Sequence, residues 1–145
     1  MKSAKIYKIN NKSEWLNEIK KLNKDSEKWI VLDTMPWGGD YKPLTLAAVS
    51  YSDSGINVYM RSYEKNIRFE GINRNDPVHL DSCLEFFFSP EKDNLSYLNF
   101  EINPVGSLYT GYSKTGLRKD SGPVLPELDP TYFDINALSK EEAYE

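Results

Sequence analysis

Alternating apolar and polar residues run through most of the chain and predict many short strands. Leu44–Tyr51 and Ile56–Tyr63 alternate on either side of Ser52-Asp53-Ser54-Gly55, a sequence typical of a tight turn. Shorter apolar segments predict further strands at Ile6–Ile9, Ser107–Tyr112 and Tyr132–Ile135, and the apolar run Trp29–Leu32 predicts a short buried strand. Many short strands separated by turn residues favour an antiparallel β-sandwich.

One segment near the N-terminus, Lys12–Asn23, has helical spacing instead. Its apolar residues return every three or four positions and share one face: Trp15, Ile19 and Leu22. Asn11 or Ser13 can cap its start. We therefore expect one short amphipathic helix packed on a sheet. By contrast, the Gly- and Pro-rich segment Ser113–Pro130 is expected to be a long loop.

The most informative pattern is a pair of strands within Asp81–Pro90 and Tyr97–Gly106. Because side chains alternate along a strand, one face of this hairpin is apolar and is expected to be core. That face carries Leu84, Phe86, Phe88, Leu98, Phe100 and Ile102. The other face carries Cys83, Glu85, Phe87, Asn99, Glu101 and Asn103. Phe87 is the apolar exception there and is expected to need cover.

Two registers of this hairpin place the apolar residues of one strand opposite the apolar residues of the other. One puts Glu85 opposite Glu101, and the other puts Glu85 opposite Asn99. Like charges on facing residues are unfavourable unless a cation or an arginine lies between them. The candidates for that partner are Arg61, Arg68 and Arg118.

Composition narrows the classes of function. The 145 residues suit one domain over 1–145, and a net charge of -4 with a pI near 5.1 gives no support to a nucleic-acid partner. A single cysteine excludes an intrachain disulfide and a thiolate zinc cluster. Since no segment resembles a signal peptide or a transmembrane helix, we expect no membrane partner and a cytoplasmic location, or an extracellular one if a leader has been removed.

The polar face of the hairpin leaves several kinds of chemistry open. Its carboxylates and amides can bind sugar hydroxyls, hold a cation such as Ca²⁺, or face water. Paired carboxylates also serve glycoside hydrolysis. Trp37 lies between Pro and Gly in a predicted loop. Its ring can either stack on a sugar or cover one end of the hydrophobic core. We expect Cys83 to be a small buried residue and His79 to be structural.

The double motif Asp81–Pro90 and Tyr97–Gly106, preceded by Asp76-Pro77-Val78, resembles the central signature of carbohydrate-binding module family 9-like proteins. The resemblance covers roughly Trp29 to Arg118. It implies a jelly-roll β-sandwich of the DOMON-like group that binds polysaccharide chain ends without catalysis, has structural calcium and clamps a sugar between two tryptophans. Haem binding, known among DOMON-like relatives, is disfavoured, because only His79 and three methionines could ligate iron.

By resemblance, Trp37 supplies one stacking face, and the remaining ligand-binding candidates are Arg68, Glu85, Asn99, Glu101, Tyr112 and Arg118. No tryptophan follows Trp37, so the second half of the aromatic clamp is absent unless a tyrosine such as Tyr112 or Tyr132 replaces it. The chain also ends earlier than similar proteins. We therefore expect a truncated domain, or an open sheet edge that a second copy completes.

The expected function is recognition of glucan- or xylan-type sugars by a non-catalytic module with no cofactor beyond that calcium. The main alternative is a structural or protein-interaction domain whose sugar site has degenerated. An enzyme that acts on glycosides is the third hypothesis.

Overall fold

A computed structural model describes residues 4–35, 38–90, 92–117 and 121–123 as two β-sheets and one α-helix. In chain order the elements are β1 Tyr7–Lys8, α1 Lys12–Lys21, β2 Ile30–Val31, β3 Thr45–Ser52, β4 Gly55–Ser62, β5 Leu84–Phe88, β6 Tyr97–Ile102, β7 Leu108–Ser113 and β8 Ser121–Pro123. A 3-10 helical turn, Val78–Leu80, precedes β5. This mainly β content is consistent with the predicted β-sandwich.

The chain divides into two compact units, Met1–Lys65 and Asn66–Glu145. The first unit contains one sheet and the helix, and the second contains the other sheet. A single domain over residues 1–145 stays a prediction. No helix in the described parts of the chain is long and apolar enough to cross a membrane.

Strand β3 organises the sheet of the first unit. It pairs with β4 along its whole length, from Thr45 opposite Ser62 to Ser52 opposite Gly55. Along its other edge it pairs antiparallel with β2 and parallel with β1. The parallel pair departs from the predicted antiparallel arrangement, because α1 lies between β1 and β3 and gives the chain the length that a parallel crossover needs.

The helix packs its apolar side on this sheet. Asn11 caps it by accepting hydrogen bonds from the backbone N–H groups of Ser13 and Glu14, at 3.0 and 3.2 Å. Its buried residues join the sheet in one cluster of Trp15, Ile19, Trp29, Leu46 and Ala48. The helix ends at Lys21, two residues before the predicted end, because the backbone of Leu22 is extended.

Strand β2 is shorter and more exposed than predicted. Only Ile30 and Val31 pair with β3, whereas the sequence predicted Trp29–Leu32. Trp29 is buried, and its indole N–H donates to the Asn23 carbonyl at 2.9 Å. Val31 and Leu32 are exposed, so the prediction of a buried strand is wrong beyond Trp29. The predicted segment therefore contains one core residue, Trp29, followed by a short strand that pairs with only part of β3.

The second unit contains an antiparallel meander with the strand order β5-β6-β7-β8. Strand β8 lies within the segment that was predicted to be a long loop, Ser113–Pro130. Its Gly and Pro residues do not favour a strand, but among the described residues β8 pairs with β7 alone, and Pro is tolerated on an edge strand. The predicted strand at Tyr132–Ile135 lies outside the described residues.

The apolar face of the hairpin is less buried than predicted. Its six residues, expected as core, are all half-buried in the structure. Phe86 stacks on Phe88 and Phe100, with ring centroids 6.3 and 6.4 Å apart, so the rings cover one another only in part. The buried positions of β6 are Asn99 and Glu101 on the polar face. Alternation assigns residues to faces but does not say how fully each face is covered.

Candidate functional site

Two carboxylates face each other at the centre of the signature hairpin. Glu85 on β5 lies directly opposite Glu101 on β6, so the structure has the first of the two registers that the sequence allowed. Facing residues of antiparallel strands have Cβ atoms about 4.5–5.5 Å apart. Glu85 is exposed, whereas Glu101 is buried. The two carboxylates therefore meet different environments although they are neighbours.

Among the described residues, hydrogen bonds and a histidine accompany this pair. The Asn99 amide donates to Oε1 of Glu101 at 2.8 Å, and Nδ1 of His79 lies 3.9 Å from Oε2 of Glu101. The thiol of Cys83 donates to Oε1 of Glu85 at 3.4 Å. The 3-10 turn that carries His79 brings its ring to the Glu101 carboxylate, and the expectation that His79 is structural stays a prediction.

The proposed arginine partners have other contacts. Arg61 donates to the Lys20 carbonyl at 3.3 Å and to the Tyr59 hydroxyl at 3.0 Å, within the first unit. Arg68 pairs with Glu70, with 3.2 Å between Nη2 and Oε1. Arg118 lies outside the described residues. The structure thus gives no support to Arg61 or Arg68 as the group between the two carboxylates.

Cys83 is half-buried next to the carboxylate pair. Burial raises the pKa of its thiol to about 12, with further contributions from Glu85, Glu101 and Asp81. A thiol with such a pKa is protonated at neutral pH and is a poor nucleophile. The structure therefore gives no support to a reactive thiolate at Cys83, and the residue is half-buried rather than buried as expected.

Asn99 packs against a strand position that has no side chain. It lies opposite Gly111 on β7, and a Cβ built on Gly111 would be 2.0 Å from Oδ1 of Asn99. This oxygen is buried and has no hydrogen-bond partner among the described residues. The amide is therefore fixed through its nitrogen to Glu101 and through steric contact with Gly111.

Asn103, the last polar residue of the face, has a structural role. Its amide donates to Oδ2 of Asp81 at 2.9 Å and to the Gly71 carbonyl at 2.7 Å, and its Oδ1 accepts from the Ser107 N–H at 2.9 Å. The hydrogen bond from Asn103 holds the pKa of Asp81 below its usual value, and backbone N–H groups of Gly71 and Glu70 add to this. The two ends of the signature are thus joined to each other and to the preceding loop.

Arg68 belongs to that preceding loop. Its backbone N–H donates to the Ser82 hydroxyl at 3.1 Å, and its carbonyl accepts from the Ser82 N–H at 2.9 Å. Its side chain is 58% exposed in the ion pair with Glu70. The backbone of Arg68 is therefore fixed next to the start of the hairpin, while the guanidinium faces solvent.

Two aromatic residues lie on opposite faces of this sheet. Phe87 shares the face of Glu85 and is 55% exposed, so the expectation that it needs cover is wrong. Its ring packs against the ring of Tyr97, with centroids 5.5 Å apart and an interplanar angle of 56°. Tyr112 pairs with Leu98 and lies on the apolar face, away from Glu85. Phe87 is not among the ligand-binding candidates predicted from the sequence, although its exposed ring lies on the polar face.

The remaining aromatic residue on the polar face is Tyr109, which lies opposite Glu101. Burial raises the pKa of its phenol, and the Glu101 carboxylate adds to this shift. The hydroxyl group therefore stays protonated and can donate a hydrogen bond. Two predicted residues, Trp37 and Arg118, lie outside the described part of the chain, as does Tyr132.

Concave regions occur away from the polar face. An open depression of about 820 Å³ is lined by Lys92–Leu95 and by Lys114 and Thr115. A smaller cavity of about 210 Å³ lies in the first unit, with Trp15 and Ile19 in its lining. In the ranges that the structure describes, no three His, Cys, Asp or Glu side chains are arranged to hold a metal ion. Structural calcium thus stays an expectation from the resemblance.

Comparisons with known proteins support the resemblance. A family model described as carbohydrate-binding family 9 matches residues 17–129, which is most of the chain. This match confirms the prediction that was made from the signature hairpin. Neither the curated proteins nor the solved structures gave a match.

Proposed function

The chain belongs to carbohydrate-binding family 9, and from that premise we propose that it is a non-catalytic module that recognises glucan- or xylan-type sugars. In this proposal the domain is a jelly-roll β-sandwich that binds a chain end of a polysaccharide. Aromatic rings stack on the sugar, and polar side chains accept and donate hydrogen bonds to its hydroxyl groups.

The observation that carries this proposal is the exposed carboxylate of Glu85 on a hydrogen-bonded sheet face. An ionised carboxylate accepts hydrogen bonds from hydroxyl groups, and these charge-assisted bonds are stronger than neutral ones. Asn99 and Glu101 are already bonded to each other. We therefore propose that Glu85 contacts the sugar, while Asn99 and Glu101 support it from within the sheet.

The other proposed contacts come from loops. The exposed guanidinium of Arg68 is a donor that can reach hydroxyl groups beside the hairpin. Trp37 is proposed as a stacking face and Arg118 as a second donor, as the family resemblance implies. Tyr112 has no part in this site, because it lies on the face opposite to Glu85.

Calorimetry with cellohexaose and xylohexaose tests the proposal. We expect heat of binding for the wild type with at least one sugar, and a large loss of affinity for Trp37→Ala and Glu85→Gln. Glu27→Gln is the matched control for Glu85→Gln, because it replaces another exposed glutamate, and Tyr51→Ala removes an exposed aromatic ring elsewhere. Absence of heat from a folded wild type with both sugars would overturn the proposal.

The second candidate is a structural or interaction domain in which the sugar site has degenerated. It is favoured by the burial of Asn99 and Glu101, since buried polar groups that bond each other serve the fold. Measurements of unfolding and of sugar binding on Asn99→Ala distinguish the degenerate domain from the sugar-binding module. In a degenerate domain it lowers only the free energy of unfolding, whereas in a sugar-binding module it also weakens binding. Burial of Glu101 counts against a glycosidase, which needs two carboxyl groups at the sugar.

A further inference from the structure

Phe87 is exposed at a position where its surroundings favour a polar residue. It lies within β5 on the same face as Glu85, and 55% of its surface is accessible. Removing the apolar surface of a phenylalanine side chain from water is favourable. Much of that gain is therefore still available to a ligand that covers the ring.

The ring is held in place rather than displayed on a flexible segment. Tyr97 on the neighbouring strand packs against it at 5.5 Å and 56°, an arrangement that aromatic pairs prefer. The backbone of Phe87 is paired with that of Asn99. Because a strand fixes the direction of its side chains, little conformational entropy is lost when a flat ligand stacks on this ring.

Polar groups lie at the distance that one sugar ring requires. Phe87 and Glu85 are two residues apart on one face, which corresponds to about 6.6 Å along a strand. Asn99, opposite Phe87, is 6% exposed and supports this face from within the sheet, so Glu85 is the accessible polar group beside the ring. An apolar surface flanked by hydrogen-bonding groups is typical of small-ligand sites.

We infer that Phe87 is the ring on which a sugar stacks at the Glu85 face of this module. The apolar C–H face of the sugar covers the ring, and an equatorial hydroxyl donates to the Glu85 carboxylate. This inference rests on the proposed function and adds to it a stacking surface next to Glu85, in addition to the stacking face proposed for Trp37. It also replaces Tyr112, which lies on the other face of the sheet.

Affinity measurements on four variants test this assignment. Calorimetry with cellohexaose and xylohexaose compares the wild type with Phe87→Ala, Phe87→Leu, Phe87→Tyr and Tyr112→Ala. We expect about a tenfold or greater loss for Phe87→Ala and Phe87→Leu, because neither side chain has a ring face. Phe87→Tyr keeps the ring and should bind within about threefold of the wild type, and so should Tyr112→Ala, an exposed aromatic control.

The outcomes distinguish this inference from the proposed function. Wild-type affinity in Phe87→Leu, or a loss in Tyr112→Ala that matches that of Phe87→Ala, overturns the role of Phe87 and leaves sugar binding intact. Absence of binding by the wild type overturns both. Thermal unfolding of each variant shows whether a loss of affinity reflects a loss of fold, and Phe87→Leu keeps apolar volume if Phe87→Ala does not fold.

Discussion

Asn99 occupies the space that a side chain at position 111 would need. Its Oδ1 lies 2.0 Å from the place of a Cβ on Gly111, which is far inside van der Waals contact. The same amide donates to Glu101. Gly111 therefore helps to fix the buried end of the polar face, although it has no functional group of its own.

Gly111→Ala should destabilise the protein. The added methyl must displace the Asn99 amide, and overpacking of this kind typically costs about 1–3 kcal/mol. Urea unfolding measures the loss. Gly122→Ala is the control, because a Cβ there meets no described atom within 4 Å. In an Asn99→Ala background the cost of Gly111→Ala should fall, and an unchanged cost would show that the clash is elsewhere.

Two carboxylates should make stability depend on acidic pH. Hydrogen bonds from Asn103 lower the pKa of Asp81 in the folded protein, and the Asn73 N–H lowers that of Asp76. Since both folded pKa values are depressed, their contribution is complete above the unfolded value of about 3.9 and is lost as the pH falls through the folded values.

Asp81→Asn should therefore lower the free energy of unfolding at neutral pH and flatten its dependence on pH below about 4. Urea unfolding at a series of pH values from neutral down to about 2 measures both effects. Asp53→Asn is the control, because its side chain is 91% exposed in a surface pair with Lys8. If the free energy of unfolding of Asp81→Asn fell with pH as steeply as that of the wild type, the role of Asp81 would be contradicted.

Cys83 should react slowly with thiol reagents. With a pKa of about 12, its thiolate fraction at pH 8 is on the order of a thousandfold below that of a free cysteine. The rate of reaction with a chromogenic disulfide should rise sharply in urea, where the burial is lost. Glu85→Gln should also raise the rate in the folded state, because it removes a neighbouring negative charge. Equal rates for the folded and unfolded wild type would refute this prediction.

Arg61 should stabilise the first unit through its planar guanidinium. That group lies 6.0 Å from the ring of Trp29 and 5.7 Å from the ring of Tyr59, and it also donates to the Tyr59 hydroxyl. Arg61→Ala should lower the free energy of unfolding by about 1–2 kcal/mol. Arg61→Lys keeps the positive charge but not the planar guanidinium, so it should recover only part of the lost free energy of unfolding. Full recovery by lysine would mean that charge alone matters.

The faces of the hairpin could be read from the sequence, but its register could not. Alternation correctly put Glu85, Asn99 and Glu101 on one side, because a strand has a period of two. The choice between two registers depended on which groups lie near the carboxylates. His79 reaches Glu101 from a 3-10 turn, a tertiary contact that the local pattern does not contain.

Burial was the other property that the pattern did not reveal. Apolar residues of the hairpin are half-buried, whereas Asn99 and Glu101 are buried together. A polar pair can be buried when its members bond each other, and only the three-dimensional contact shows this. Strand β8 was likewise missed, since its pairing with β7 overrides the weak strand preference of Gly and Pro.

The hydrogen bonds that hold the loop before the hairpin also bear on the thermodynamics of recognition. Asp81 accepts from the N–H groups of Glu70 and Gly71, and Ser82 is bonded twice to the backbone of Arg68. The chain on both sides of the Arg68–Glu70 ion pair is therefore ordered before any ligand arrives. A ligand that Arg68 contacts has only the guanidinium to immobilise, so the unfavourable entropy of binding at this loop is confined to one side chain.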